Sequence, residues 1–382
     1  MESIILEQQI SFRKLLSKLL YAVDEEQTEL YIGKMRPGGR ANILEWGDAV
    51  WLQQFRFTQR EVRQLILALD MPTEIHCPES RNREDAITAL CMLLHRLAYP
   101  TRLCDVQMQM GWERTRFSRI TRATALFLYN RWKHLLRFNP IRLTPEKLVD
   151  YATIIQNKGC PLDCVVAFID GTLEETARPS RNQRLVYNGW KRKHCLKYHV
   201  VTAPDGLVIH VYGPVEGRRH DSTVLKQSGL TDILEKHFWS PEHKRLFIYG
   251  DPAYAISGHI LAPYKGLTLD RAQRKFNGKM SKVREAVEWS FKEANSQFAF
   301  FNFALNQKVL LQPVGLFYLV GLLLCNCHTI LHRPQIPQYF DCTPPTLAEY
   351  FQGRLMTSIW IDGALLLPGR KFLMTKQRLC MI

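Results

Sequence analysis

Val165-Val166-Ala167-Phe168-Ile169-Asp170-Gly171 and, further along the chain, Leu246-Phe247-Ile248-Tyr249-Gly250-Asp251 are the two stretches that decide the fold. Each is a short unbroken apolar run, rich in β-branched and aromatic residues, closed by an aspartate beside a glycine. Such a run reads as a strand buried on both faces, too short for a core helix. Between them, Leu196–Ala203 and Leu207–Tyr212 are β-rich and joined through Pro204-Asp205-Gly206, a hairpin signal. A helix is expected at about Ser222–His237. Beyond the second run come a loop rich in Gly, Pro and basic residues, a helix at about Met280–Phe298, and an apolar helix at about Val314–Leu331. Strands in meander, a helix, a further strand and flanking helices make an α/β layer fold.

Upstream of residue 160 the periodicity is helical. Thr58 with Glu61 is a capping-box pattern ahead of Val62, Leu65, Ile66 and Leu69. A second helix runs from about Arg83 to Ala98 and stops before Pro100. Thr101–Leu136 reads as helix, turn at Gly111, helix. This places Arg114, Arg116 and Arg119 on the opening turns of the second helix, where a recognition helix meets a DNA groove. The same pattern suits a helical bundle with a solvated basic face. Residues 1–57 carry an amphipathic pattern at Ile4–Val23 and a Pro37-Gly38-Gly39 turn, and form a poorly defined N-terminal segment.

The chain has 382 residues, with 51 Lys+Arg against 36 Asp+Glu, a net charge of +15. At 46% hydrophobic and 23% charged it is a folding composition, not a disordered one. The excess points to an anionic partner, nucleic acid before membrane. Val314–Cys325 is short for a membrane span and reads as a core helix, and no membrane partner is expected. The scattered cysteines lack any CxxC pair, which speaks against zinc and for a reducing compartment.

Two aspartates at strand ends stand where α/β sheets bind ligands. Glu288, in the helix of Val283, Val287 and Phe291, supplies a third carboxylate, at i, i+4 spacing from Arg284 and Lys292. Three carboxylates in a basic protein suit hard divalent cations. Taken singly, the aspartates also suit turn or cap residues, and Arg284/Glu288 suits a helical ion pair.

Phe168-Ile169-Asp170-Gly171-Thr172, Gly250-Asp251-Pro252-Ala253-Tyr254 and Arg284-Glu285-Ala286-Val287-Glu288-Trp289-Ser290-Phe291 resemble the three catalytic blocks of the DDE transposases, the PIF/Harbinger group related to IS5-type enzymes in particular. The 36 residues between Asp251 and Glu288 suit that group. Tyr187–His194, Gly213–Ser222 and Phe276–Ser281 agree, and the resemblance spans about residues 58–332. Two departures stand out: Leu173-Glu174-Glu175 after the first block, where relatives place His, and Trp289-Ser290-Phe291-Lys292, where they continue Phe-Gly. Glu174 and Glu175 are therefore competing acids.

The resemblance implies an RNase H-like mixed sheet flanked by helices at 160–332, preceded by an all-helical, helix-turn-helix-like DNA-binding region at 58–150 and followed by a C-terminal extension at 333–382. It implies Asp170, Asp251 and Glu288 as catalytic ligands of two Mg²⁺ or Mn²⁺ ions, with Asp221 as a further metal candidate whose other reading is an N-cap. The activity implied is cutting at transposon ends and joining to target DNA. The alternative is a domesticated nuclear DNA-binding or scaffold protein without cleavage; a plain metal-dependent nuclease shares the same residues. Partners implied are terminal inverted repeats and target DNA, a Myb-like accessory protein that brings the chain into the nucleus, and a second copy in a homodimer or larger assembly.

Basic residues gather around these acids. Arg181, Lys191, Arg192, Lys193 and Lys197 lie in Thr176–Pro204, which has no Asp or Glu, and Arg274, Lys275, Lys279, Lys282 and Arg284 lie in Lys265–Arg284. With Arg218, Arg219 and His220 they form a candidate phosphate track, or else solvated faces. Tyr187, Trp190 and Trp289 are aromatics of the kind that stack on unpaired bases, and equally of the kind that fill a core.

Overall fold

The computed structural model describes residues 39–254 and 256–352, and for residues 286–288, 290–293 and 352 the backbone alone. The expected Ile4–Val23 helix, the Pro37-Gly38 turn and residues 353–382 of the C-terminal extension lie outside the described residues.

The helical region begins with α1 (Asp48–Phe55) and α2 (Gln59–Ala68). Thr58 caps α2 by accepting from Glu61 N at 3.2 Å, and Glu61 returns the bond from Thr58 N at 2.8 Å. Glu74–His76 (β1) and Arg83–Asp85 (β2) form a small antiparallel ribbon where helix was expected from Arg83. Asp85 instead is the N-cap of α3 (Ala86–Ala98), accepting from Thr88 N at 2.9 Å. Then α4 (Leu103–Met110) and α5 (Arg114–Trp132) are joined through Gly111 at φ 68°. A side chain there would lie 2.4 Å from Gly39 O, so position and conformation both demand glycine. Thr144 caps α6 (Pro145–Asn157), with proline in its first turn.

The remaining elements are β3 (Val165–Glu175), α7 (Gln183–Val186), β4 (Tyr187–Asn188), β5 (Lys193–Thr202), β6 (Val208–Glu216), α8 (Asp221–Ser228), α9 (Leu230–His237), β7 (Phe247–Tyr249) and β8 (Ile260–Leu261), then α10 (Arg271–Gln297), α11 (Val314–His332), α12 (Gln335–Phe340) and α13 (Leu347–Gln352). The sheet is mixed. Its order is β6-β5-β3-β7-β8, with the short β4 paired to the start of β5. β3, β5 and β6 form an antiparallel meander, and β7 and β8 extend it in parallel from β3. The meander follows from a hairpin whose tip, Ala203–Leu207, is buried. Asp205 at that tip accepts from the Tyr151 hydroxyl and from Leu207 N (3.0 Å) and lies 3.5 Å from Arg142.

Helices cover the sheet on both faces. On the face of Phe168 and Tyr198, Phe340 and Tyr318 stack on those rings from α12 and α11. α11 has 19 residues and is long and apolar enough to cross a membrane, but 89% of its apolar stretch is buried inside the protein. Its status as a core helix therefore rests on burial, not on shortness. Within it, Asn326 bonds both backbone groups of Val208, each at 2.9 Å. That pairs the first residue of β6 with a side chain.

Two expectations are corrected. The helix at Ser222–His237 is two helices, because Gly229 takes φ 66°. The last nine residues of the loop expected before Met280 are helix: α10 starts at Arg271, where Asp270 and Gln273 form a capping box at 2.7 and 3.1 Å. Gly278 sits inside that helix rather than breaking it.

Candidate functional site

The parallel register between β3 and β7 pairs Phe168 with Tyr249. Asp170 and Asp251 are each the second residue past that pair. Both side chains therefore start from matching positions at one edge of adjacent strands, which in a sheet lie about 5 Å apart. Asp170 accepts from Gly171 N at 2.9 Å and its other oxygen lies 3.2 Å from Arg284 Nη2 of α10, with both side chains less than a fifth exposed. Asp251 Oδ1 accepts from Ala253 N at 2.9 Å, closing a turn that brings Tyr254 back under the strand end. Glu288 lies one helical turn after Arg284 on α10, and its side chain lies outside the described residues.

Asp221 approaches from the other face. In the β3/β5 ladder Gly171 stands opposite His199, and Lys197 is two residues away on the same side. Asp221 Oδ1 lies 3.1 Å from Lys197 Nζ and 3.4 Å from His199 Nε2. It is not the N-cap of α8; that position is His220. Burial opposes its ionisation, but the His199 hydrogen bond and the Lys197 charge outweigh it and hold its carboxyl below the usual range. A Cβ on Gly171 would sit 3.1 Å from Asp221 Oδ1 and 3.6 Å from the Tyr254 hydroxyl. Glycine lets this acid pass beside the strand that carries Asp170.

Tyr254 is where the groups meet. Its ring packs edge-on to His199 at 5.3 Å. Burial first, then the carboxylates of Asp221, Asp170 and Asp251, raise its phenol far above the ordinary value, with Arg284 opposing. It stays a neutral hydroxyl, and that oxygen has no hydrogen-bond partner among the described residues.

The competing acids fall elsewhere. Glu174 lies on the Asp170 face but four residues on, ~13 Å along the strand. It is 6% exposed, and burial pushes it up to about 7 against hydrogen bonds from Thr172 and Tyr318. Glu175 pairs with Lys193 at 2.6 Å.

The basic candidates divide. Arg274, Lys275, Lys279 and Lys282 are exposed along one side of α10, opposite buried Met280 and Val283. Arg181, Lys191, Arg192, Arg218 and His220 are also exposed. Lys197 is turned inward to Asp221 and the Arg219 carbonyl (2.8 Å), and Arg284 to Asp170. Arg219 is bonded to Glu216 at 2.6 Å. In the helical region Arg114 and Arg119 line a shallow cavity with Leu103, Thr115 and Ser118. Arg116 instead meets Glu84 at 2.8 Å, as does Arg40, so it bridges α5 to β2. Trp289 packs edge-on to Tyr339, and Trp190 is 88% exposed.

The sequence reading placed Lys197 in the phosphate track and gave no role to Tyr254 or His199. Their signal lay in strand alternation: Lys197, His199 and Gly171 share a face once the β3/β5 register is known. Among the described residues no three His, Cys, Asp or Glu side chains are grouped as a metal cage, and Glu288 is outside that group. The donors at the strand edge are hard carboxylate oxygens, the kind that Mg²⁺ and Mn²⁺ prefer.

A mixed sheet flanked by helices, with paired aspartates leaving adjacent parallel strands, is consistent with a nuclease fold. Residues 169–326 match the family model described as DDE superfamily endonuclease. The match begins one residue before Asp170, contains Asp251, Glu288 and Asp221, and ends in α11. This segment is therefore similar to DDE superfamily endonucleases, a transposase-type nuclease family. Neither a curated protein nor a solved structure matches the chain.

Proposed function

We propose that the chain is a metal-dependent DNA endonuclease and strand-transferase of the PIF/Harbinger type, built on an RNase H-like layer. The observation that carries this reading is the matched position of Asp170 and Asp251 at one edge of adjacent parallel strands, inside the segment similar to DDE endonucleases. The strand order supports the fold proposal: three antiparallel strands, with the first as the centre and two later strands added in parallel.

Asp170, Asp251 and Glu288 would hold Mg²⁺ or Mn²⁺, which when bound lowers the pKa of water and stabilises the attacking and leaving oxygens of a phosphodiester. The chain's own residues do the rest. Arg284 fixes the Asp170 carboxylate. Tyr254, buried and neutral, fills the space beneath both aspartates. The exposed face of α10, with Arg274, Lys275, Lys279 and Lys282, offers phosphate contacts beside the acids, and Arg114 and Arg119 offer a second set on the helix-turn-helix-like pair. The reading extends to terminal inverted repeats and target DNA as substrates, a nuclear location, a Myb-like partner and an assembly of at least two copies.

The test is a labelled duplex carrying the element's terminal inverted repeat, incubated with Mg²⁺ or Mn²⁺. The wild type should nick it, and Asp251→Ala should bind it without nicking. Equal nicking by both would refute the carboxylate assignment. Binding without nicking by the wild type would favour a domesticated DNA-binding protein.

A further inference from the structure

Trp190 is 88% exposed, while the other described tryptophans are buried or half-buried. It does not hang from a loose loop. β4 and β5 pair Tyr187 with His194 and Asn188 with Lys193, leaving Gly189-Trp190-Lys191-Arg192 as the tip. Asn188 Oδ1 accepts from Lys191 N at 2.9 Å, and Asn188 Nδ2 donates to Gly217 O at 2.7 Å. Tyr187 and His194 pack edge-to-face at 5.3 Å behind it. Arg192 adopts φ 54°, completing the turn. At Gly217 a Cβ would fall 2.5 Å from Cys195 O, so the base of the hairpin is closely packed. The indole is thus presented, at low ordering cost, by a braced turn.

Its surroundings name the partner. Lys191, Arg192, Arg181 and Arg184 are all exposed, and no acidic residue occurs from Thr176 to Pro204. An apolar protein pocket that takes a tryptophan gains nothing from exposed cations in the flanking sequence; a base stack bordered by phosphates does. Arginine and lysine beside an exposed aromatic ring form the usual composition of a nucleic-acid stacking platform. The hairpin is the prolongation of β5, whose Val200 faces Asp170. Val200 lies seven steps along β5 from Lys193, so the tip stands ~24 Å from the aspartates, past the edge that carries them. That is the length of about seven base pairs at the 3.4 Å step of a duplex.

We propose that Trp190 is a stacking wedge: its indole lies against a base ring of the bound DNA, away from the cut, with Lys191 and Arg192 on the adjoining phosphates. This rests on the DNA reading above. It assigns to the hairpin tip a part in gripping and deforming the duplex that none of the carboxylates performs.

The experiment uses the full chain with duplexes of about thirty base pairs, intact or with a single-stranded flap, carrying 2-aminopurine at successive positions. Wild type and Trp190→Phe should change the fluorescence of 2-aminopurine within a narrow window of positions. Trp190→Ala should abolish that change and weaken flap-duplex binding about tenfold, with the salt dependence unaltered. Lys191→Gln with Arg192→Gln should reduce the salt dependence instead. Wild-type binding that Trp190→Ala leaves unchanged, in affinity and fluorescence, overturns the wedge alone. Loss of self-association in Trp190→Ala with DNA binding intact overturns it in favour of a contact between copies. No DNA binding by the wild type at low salt overturns the DNA reading and the wedge with it.

Discussion

Replacing Glu174 by glutamine isolates a charge that the fold does not want. Glu174 is 6% exposed beneath α11, and burial raises its carboxyl from 4.5 to about 7, although hydrogen bonds from Thr172 and Tyr318 pull the other way. A folded pKa above the unfolded one means that the native state keeps a proton the unfolded chain releases. The stability contributed by that proton is fully present below pH 4.5. It falls as pH rises through about 7 and is gone above it. The shift corresponds to roughly 3 kcal/mol between the two limits. Glutamine keeps the shape and never ionises. Glu174→Gln should therefore match the wild type near pH 4.5 and exceed its stability by up to roughly 3 kcal/mol near pH 8. Urea melts of both proteins across that range measure the difference. Parallel curves, or a glutamine variant less stable near pH 8, would refute the assignment of Glu174 as a buried neutral acid.

Glu84→Ala leaves Arg40 and Arg116 without their shared partner, itself 6% exposed on its side chain. Because the two guanidiniums are about a third exposed, the loss should be about 2–3 kcal/mol in urea melts, below that of a wholly buried pair. Gly250→Ala would place a methyl 2.7 Å from the Tyr254 ring and 2.9 Å from Ile169, displacing the floor under both aspartates. Nicking should drop about a hundredfold while duplex binding, measured by gel shift, changes little. Asp251→Asn and Asp170→Asn should both abolish nicking but part company in stability. The first removes a carboxylate with only a backbone donor and should be neutral within about 0.5 kcal/mol. The second breaks the Arg284–Asp170 ion pair and should cost about 1–2 kcal/mol, as urea midpoints would report.

The apolar runs at Val165 and Leu246 were legible as strands because burial on both faces leaves an unbroken hydrophobic word. Thr58 and Glu61 announced α2 because the capping box is local, satisfied within four residues. What the sequence hid was tertiary. Asp270 and Gln273 cap α10 in the same way, but Gly278 suggested a break that packing of Met280 and Val283 overrides. Arg83–Asp85 forms a ribbon because Glu84 faces Arg40 and Arg116, partners distant in sequence. Of the site, Asp170, Asp251 and Asp221 could be picked out as residues. The roles of Lys197, His199 and Tyr254 could not, since they depend on the β3/β5 register. Arg116, Lys197 and Arg284 read as surface cations because charge patterning cannot tell an outward side chain from one that turns to a buried acid.

These inward cations explain how the site gathers acids without repelling itself apart. Asp221 is held by Lys197 and His199, Asp170 by Arg284, and both are partly buried. Each thereby has a positive partner, and for Asp221 the His199 hydrogen bond and the Lys197 charge favour ionisation in a place where burial opposes it. Asp251 differs: its oxygen takes only the Ala253 N–H, and no cationic partner faces it among the described residues. Among the described residues, the strand-edge carboxylate without a cationic partner is thus Asp251, beside Asp170 in register and above an uncharged Tyr254. A solvated divalent cation approaching the edge would meet its most favourable field there, whereas Asp221 is already matched from the opposite face. The asymmetry distinguishes the acids by their partners: Asp221 is bonded to Lys197 and His199 beside Gly171 and Tyr254, whereas Asp251 at the strand end has a backbone donor.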